Sequence, residues 1–505
     1  MASRFARFFR SDLGVLLLVA AARVFVHVVT NGQYGFHRDE LQTLDDARHL
    51  DWGFVVYPPI APLIGRLELA MFGTSLVGFR VFAAVAVSLV MVLAGLIAKE
   101  LGGDRRIQLL AAIATGISPL SLTQGAVFQY VSFDYLWGTA TTYFLVRLAK
   151  SEDPRWWLAI GAMLGTGMET RYTAGFLAFG LAGALLLTPL RRQLLSGWLW
   201  AGIALSILIF LPNVMWQARH HFISLDFLAH LHARDLRQGR YKDFYSGQPL
   251  LCLNIVTAPL ALLGLWFYFI REEGRRYRLL GWTVVVTFVL FAFAGARSYY
   301  TAPLYPVLLA GGSVMFGTVI ASLWPQSARW IWATQWSLLL VAGVLFAFLV
   351  MPIAPIGSGI WNVTAKLHDQ FREEIGWPEL AQNVARVFSS MSIEERAQAG
   401  ILTGNYGEGG GLNLYGPRLG LPPAMTLTNS FWYRTFDPRE PQIVVVVGFD
   451  LDEAQKLFAS CEVAGKNGNA FAVENEESRD HPDILVCRNL KMPWKEYWAA
   501  HRRFG

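Results

Sequence analysis

Apolar residues fall into membrane-length blocks along most of this chain, and short polar loops separate the blocks. Residues 81–98 carry no charge, and a helix needs about 20 apolar residues to cross a bilayer. Two half-length pieces, 156–167 and 172–187, look like a broken pair. Comparable long runs lie at 13–29, 107–126, 133–148, 198–214, 249–270, 279–294, 300–323 and 330–351. We therefore predict a mainly α, polytopic membrane fold of about ten to eleven transmembrane helices.

The pattern changes after Pro355. Charges become frequent, β-rich runs at 443–447 and 484–487 alternate with helical patterns at 377–389 and 452–460, and an α/β domain is expected. We divide the chain into a transmembrane domain, 1–355, whose first outer loop is 31–76, and a soluble domain, 356–505. Cys461 and Cys487 both fall in this second domain, and we predict that they pair if it is exported.

Composition supports a membrane protein. Of 505 residues, 54% are hydrophobic and only 16% are charged, whereas soluble proteins average about 25% charged. The net charge of +6 comes from basic residues at the ends of apolar runs, which indicates orientation rather than nucleic-acid binding. Basic loops alternate, so the N-terminus with Arg4, Arg7 and Arg10 is expected in the cytoplasm, and the soluble domain outside. Arg23 and His27 interrupt the first apolar run, 13–29. We therefore expect this run to stay in the protein as a membrane anchor, and not to be cleaved off as a signal peptide.

An acidic pair, Asp39-Glu40, lies in the first loop to leave the membrane, directly after His37 and Arg38. A carboxylate at the bilayer surface can take a proton from a hydroxyl while the membrane presents a lipid-linked reactant. The alternative is structural: Asp39 would cap a surface helix beginning at Glu40, with Asp45 and Asp46 on its solvated face. The density of polar residues before an aromatic, proline-rich segment, 52–62, favours the functional interpretation.

A second acid, Asp134, stands at the outer entrance of the fourth run, where a charge is costly near the bilayer centre. It is either a helix cap or a second carboxylate that faces the same cavity as Asp39.

Basic residues on the predicted outer side oppose the rule that positive charges lie in the cytoplasm, and phosphate binding would explain them. They are Arg171, Lys242 with Arg234, Arg237 and Arg240, and Arg297. Lipid-headgroup contacts or a solvated loop are the alternatives, and Tyr299 and Tyr300 are either interfacial belt residues or ligand contacts.

In order along the chain, these segments resemble the bacterial members of glycosyltransferase family 39, which are similar to protein O-mannosyltransferases and belong to the GT-C superfamily. Aminoarabinose transferases and lipid A core galacturonosyltransferases are related branches. The matching motifs are Phe36-His-Arg-Asp-Glu-Leu, Tyr57-Pro-Pro, Phe133-Asp-Tyr-Leu, Gly165-Thr-Gly-Met-Glu-Thr-Arg-Tyr-Thr, Ser298-Tyr-Tyr-Thr-Ala-Pro, Gly376-Trp-Pro-Glu-Leu and Asn405-Tyr-Gly-Glu.

The resemblance implies that Asp39 is the catalytic carboxylate, with Glu40 beside it and Asp134 as the second acid. His37, Arg38, Arg171, Lys242, Arg297, Tyr299 and Tyr300 are the predicted substrate-binding residues. Where the family pattern leads us to expect Lys, positions 171 and 297 carry Arg, which keeps the charge but changes a point donor into a planar fork.

The expected activity is an inverting sugar transfer from a polyprenyl phosphate to a hydroxyl of a lipid, glycan or protein, at the outer face of the bacterial inner membrane. A transporter or flippase is the alternative, and an assembly scaffold is a third hypothesis. The glycine-rich stretch 405–411 matches no nucleotide-binding pattern. No metal-ligand cluster is visible and no cofactor is required, although the resemblance leaves room for a divalent cation at the carboxylates.

Overall fold

The computed structural model describes residues 11–505. Arg4, Arg7 and Arg10, on which the orientation of the N-terminus depends, lie outside the described residues. Residues 11–350 form a helical assembly whose principal helices are Asp12–Thr30, Arg38–Arg48, Ile60–Phe72, Val81–Glu100, Arg105–Gly116, Pro119–Ala126, Tyr130–Ser151, Trp156–Met168, Ala174–Leu186, Gly197–Arg219, Ile223–Arg237, Ala258–Phe269, Arg278–Phe293, Tyr305–Leu323 and Ala328–Val350.

The chain is a multi-pass membrane protein. Within the described range, six helical segments are long and apolar enough to cross a bilayer, or eight if each of two bent pairs is one span. The predicted count of ten to eleven is not confirmed. The helix Tyr130–Ser151 has 22 residues but does not reach the hydropathy of those six. The spanning segments are Asp12–Thr30, Gly78–Glu100, Gly197–Arg219, Arg275–Phe293, Ser298–Leu323 and Ala328–Val350.

The half-length pieces are two separate helices, Trp156–Met168 and Ala174–Leu186, of 13 residues each. At 1.5 Å per residue each is about 20 Å long. The turn between them carries Glu169 and Arg171. A short helix that stops inside the protein can present such a turn to an internal cavity, and Arg171 is placed in that way.

The C-terminal α/β part follows the predicted pattern. A five-stranded sheet has the order β2-β1-β3-β5-β4, with β1 parallel to β2 and β3, and β5 antiparallel to β3 and β4. The strands are β1 (Ala399–Thr403), β2 (Ala424–Thr426), β3 (Ile443–Val447), β4 (Phe458–Lys466) and β5 (Asp483–Leu490), and the helices are Gly359–Leu367, Trp377–Ser390, Ile393–Gln398, Tyr406–Tyr415, Leu451–Leu457, Glu476–Asp480 and Trp494–Ala500.

Both predicted strands and the helix from Trp377 are confirmed. The helix predicted at 452–460 is too long, because the chain enters β4 at Phe458. Cys461 and Cys487 face each other in the register of β4 and β5 and are joined by the predicted disulfide. Of the described cysteines, only the buried Cys252 is free.

The first loop and the α/β part share one apolar core. Phe36, Leu41 and Leu44 from the loop pack in the same buried cluster as Trp377 and Val445. The helix Tyr406–Tyr415 lies directly on the helix Arg38–Arg48, and glycines permit the approach: a Cβ at Gly410 would lie 2.9 Å from the backbone of Leu41. The glycine-rich stretch 405–411 therefore lies at the turn from β1 into the helix Tyr406–Tyr415, and its glycines let the two helices pack closely.

Candidate functional site

Asp39 stands in the first turn of the helix Arg38–Arg48. The helix begins two residues earlier than the structural alternative predicted, and His37 rather than Asp39 is its cap: Nδ1 of His37 accepts the amide of Asp39 at 3.1 Å. Glu40 completes a capping box by accepting the amide of His37 at 2.8 Å. Because capping is done by its neighbours, the carboxylate of Asp39 is left available.

Two donors from different parts of the chain hold this carboxylate. The hydroxyl of Tyr406, in the α/β part, donates to Oδ1 at 2.8 Å, and the side-chain amide of Gln129 donates to Oδ2 at 3.0 Å. The side chain remains 43% exposed. It faces a cavity of about 200 Å³, so the acid is positioned and still accessible.

The surroundings keep Asp39 ionised. Burial raises the pKa of this carboxyl, but the ring of His37, the charge of Arg38, the hydroxyl of Tyr406 and the more distant Arg297 together outweigh it, and the net pKa lies below the ordinary value. Asp39 is therefore ready to accept a proton.

The cavity around Asp39 is strongly basic on one side. Four arginines reach it from four segments of the chain, and the polar side chains between them supply hydrogen-bond donors and acceptors. The lining includes Arg38, Arg234, Arg240, Arg297, Gln42, Thr43, Gln129, Tyr57, Tyr130 and Tyr406. A negatively charged ligand of moderate size matches this lining.

Arg297 is held by Asp235, which the sequence did not single out. Its Nε and Nη2 donate to the two carboxylate oxygens at 2.6 and 2.8 Å, while Nη1 lies 3.5 Å from the hydroxyl of Tyr299. Arg240 also lies 3.5 Å from Asp235. Asp235 thus fixes the fork of Arg297 at the cavity and neutralises part of its charge.

A smaller cavity adjoins the first and contains Arg171. The two share Val56, Tyr57, Tyr130, Phe227 and Leu231 in their linings, so they are neighbours separated by side chains.

The guanidinium of Arg171 lies 3.9 Å from the ring centre of Tyr300, and the rings of Tyr130 and Tyr299 also face it at just over 5 Å. Asp134 is 3.6 Å from Nη1. That Nη1 is buried and makes no hydrogen bond, although buried polar groups are normally bonded. Arg171 therefore lines the cavity next to that of Asp39, and its Nη1 is ion-paired with Asp134 without being hydrogen-bonded.

The predicted site residues separate into two groups. Asp39, Arg38 and Arg297 line the main cavity. Arg171 and Tyr300 line the smaller one, and Tyr299 and Asp134 contact Arg171. Lys242 is exposed on the 3-10 turn Arg240–Asp243, although its neighbour Arg240 reaches the cavity.

Glu40 lies elsewhere. It is fully buried and accepts from Arg80 at 2.6 and 2.8 Å and from the amide of Phe128 at 2.7 Å. Arg80 is also completely buried and reaches Glu374 of the α/β part at 3.2 Å. These contacts give Glu40 a role in anchoring the loop, and it does not line the cavity of its neighbour.

The expected solvated face of the loop helix is instead an interface. Asp45 and Asp46 are buried, and Nη2 of Arg434, from the α/β part, is 2.6 Å from each. Tyr57 donates to Asp46 at 2.7 Å. The sequence offered no signal for this pairing, nor for Gln129 at Asp39, because the partners come from distant segments. Tyr406 lies in the matching motif Asn405-Tyr-Gly-Glu, but the motif did not indicate its contact with Asp39.

Comparisons with known proteins agree with the fold. Residues 56–216 match the family model described as dolichyl-phosphate-mannose-protein mannosyltransferase. No curated protein matches the sequence significantly. Among solved structures, ArnT from Cupriavidus metallidurans bound to undecaprenyl phosphate is similar with a TM-score of 0.54 and 15% identity, over 94% of this chain and 97% of that one.

The apo state of the same ArnT is similar to the same degree, at 14% identity. The apo oligosaccharyltransferase of Archaeoglobus fulgidus has a TM-score of 0.52 and 10% identity, over 82% of this chain and 64% of that one. The family match over residues 56–216 agrees with the resemblance drawn from the sequence motifs, and the fold of the chain is similar to that of ArnT.

Proposed function

We propose that this protein transfers a sugar from a polyprenyl-phosphate donor to an acceptor hydroxyl at the outer face of the bacterial inner membrane, with inversion at the anomeric carbon. The observation that carries the proposal is the pair of adjoining cavities, one with an ionised carboxylate and the other with a buried arginine whose Nη1 makes no hydrogen bond. The neighbour bound to undecaprenyl phosphate supports the class of donor.

In the proposed reaction the acceptor oxygen attacks the anomeric carbon as the bond from that carbon to the phosphate oxygen breaks. Asp39 takes the proton of the hydroxyl, and the electron pair of the broken bond leaves with the polyprenyl phosphate. One displacement inverts the anomeric centre. A phosphate is a good leaving group that needs cations more than an acid.

Arg171 is the proposed principal ligand of the departing phosphate. Its unbonded Nη1 would gain a charge-assisted hydrogen bond, and the tyrosine rings around it exclude water. Arg297 is a secondary ligand because Asp235 already occupies two of its donors. We retain Asp134 as the group that orients Arg171, through the contact at 3.6 Å.

Purified protein in proteoliposomes with labelled undecaprenyl-phosphate hexoses, pentoses and uronic acids, plus an envelope extract as acceptor, tests the function. A transferase forms a new glycosidic product and free undecaprenyl phosphate, with inverted anomeric configuration. Movement of intact donor between leaflets without product would overturn the proposal in favour of a flippase. Parallel reactions with a chelator, Mg²⁺ or Mn²⁺ test the expectation that no divalent cation is required.

A further inference from the structure

The α/β part reaches into the candidate site through one side chain. Tyr406 is the first residue of the helix Tyr406–Tyr415, and its hydroxyl donates to Oδ1 of Asp39 across 367 positions of sequence. The ring lies under Arg38, whose guanidinium carbon is 5.9 Å from the ring centre. A residue of the α/β part thus contacts the acid that faces the cavity.

A ring of contacts holds Tyr406 in this place. The side chain of Asn405 caps the helix by accepting the amide of Gly407 at 2.7 Å, and its amide donates to Glu477 at 2.9 Å. Glu477 lies 3.4 Å from Arg38, which precedes Asp39. These contacts form a closed circuit, which runs from Asp39 through Tyr406, Asn405, Glu477 and Arg38. Several contacts therefore fix the position of Tyr406 at once.

The opposite oxygen of Asp39 is bound by Gln129, from the membrane part. With one donor on each oxygen, the plane of the carboxylate is fixed, and the second lone pair of each oxygen remains for the cavity. A general base must lie within hydrogen-bond reach of the proton that it removes, and its orientation decides whether that reach is used. Tyr406 and Gln129 supply this orientation from opposite sides.

We propose that Tyr406 is a positioning residue for Asp39, so that the α/β part completes the catalytic centre in addition to any contact it makes with the acceptor. The inference rests on the proposed function, in which Asp39 is the base. The hydroxyl also stabilises the ionised form of the carboxylate that must accept the proton.

A double-mutant cycle tests the contact without any substrate. Thermal unfolding of the full-length protein in detergent is measured for Tyr406→Phe, Asp39→Asn and the double variant. Tyr406→Phe should lower Tm by a few degrees in the native background and much less beside Asp39→Asn, because the charge that the hydroxyl serves is then absent. Equal effects in both backgrounds would overturn the contact. Tyr415→Phe, on the same helix, is the matched control and should have the same effect in both.

The pH dependence of kcat/KM tests the role, with the donor that reacts in the proteoliposome assay. Loss of the hydroxyl should raise the pKa of Asp39 and move the acidic limb upward by about one pH unit, with a plateau about tenfold lower. A lower plateau with an unmoved limb would reduce Tyr406 to structural support and overturn the inference. If Asp39→Asn itself keeps full activity, the proposed base is wrong, which is a separate failure.

Discussion

The helix Arg38–Arg48 carries acids on two faces, and their environments differ sharply. Asp39 faces a cavity, is 43% exposed, and has no Lys or Arg within ion-pair distance among the described residues. Glu40, Asp45 and Asp46 are buried and held by Arg80 or Arg434 at 2.6 Å. Removing one partner of a buried pair leaves an uncompensated charge, whereas a half-exposed acid can lose or gain a proton at little cost to the fold. The acids that are ion-paired with arginine fasten the helix, and Asp39, which has no such pair among the described residues, is available for chemistry.

The largest effect should follow Asp39→Asn. Because the amide cannot accept the proton, transfer should fall by about a thousandfold, while the unfolding temperature and the binding of undecaprenyl phosphate stay near those of the native protein. Product formation and calorimetry on the same preparation distinguish a loss of chemistry from a loss of stability. Native turnover by this variant would remove Asp39 from the mechanism.

The adjacent substitution, Glu40→Gln, should act on stability. It leaves Arg80 buried without its main counter-charge, and the expected loss is about 3–5 kcal/mol. Reduced yield and a lower Tm in detergent would show it, with Glu394→Gln, an exposed residue of the α/β part, as the control. A stable but inactive Glu40→Gln protein would break the comparison and return Glu40 to the catalytic group.

Arg171→Gln should weaken binding of undecaprenyl phosphate about a hundredfold, since the charge that would meet the phosphate lies in a buried cavity. Titration of the lipid into purified protein measures this change. Arg191→Gln, at an exposed position, serves as the control. Unchanged affinity would shift the phosphate site towards Arg297 and Arg240 in the main cavity.

The smallest effect concerns pH. Burial, with the charge of Glu477, raises the pKa of Glu408 to about 8, so the folded state favours the protonated form. In the unfolded chain a glutamate ionises near about 4.3, and this group therefore destabilises the fold progressively as pH rises towards 8. Glu408→Gln should reduce the fall in Tm between pH 5 and pH 8 by a few degrees. An unchanged slope would show that Glu408 is not the group responsible.

The elements of this fold could be read from the sequence where the signal is local. The length of the apolar runs indicated the membrane-spanning helices, and β-branched residues between turn residues indicated β3. The presence of Cys461 and Cys487 in one domain suggested their disulfide. The number of spans could not be settled in this way, because polar residues such as Asp134 lower the hydropathy of Tyr130–Ser151.

The candidate site was predictable only in part. Asp39 stood out because charges are dense beside a membrane exit, and Arg171 because it opposes the orientation rule. Tyr406, Asp235 and Arg434 gave no such signal, since each acquires its role only through a contact with a distant segment. The burial of Glu40 next to an accessible Asp39 could not be predicted either, because a helix turns adjacent residues towards different surroundings.

The seam where Gly410 meets Leu41 has a mechanical consequence for substrate entry. The α/β part packs closely on the helix Arg38–Arg48 and shares an apolar core with it. Separating the two would expose that core, so they are expected to move as one unit. In the proposed reaction, a bulky acceptor would therefore reach the cavity from another side. Phe227, Leu231 and Arg234 of Ile223–Arg237 border the same cavity on such a side, away from the contact of Gly410 with Leu41.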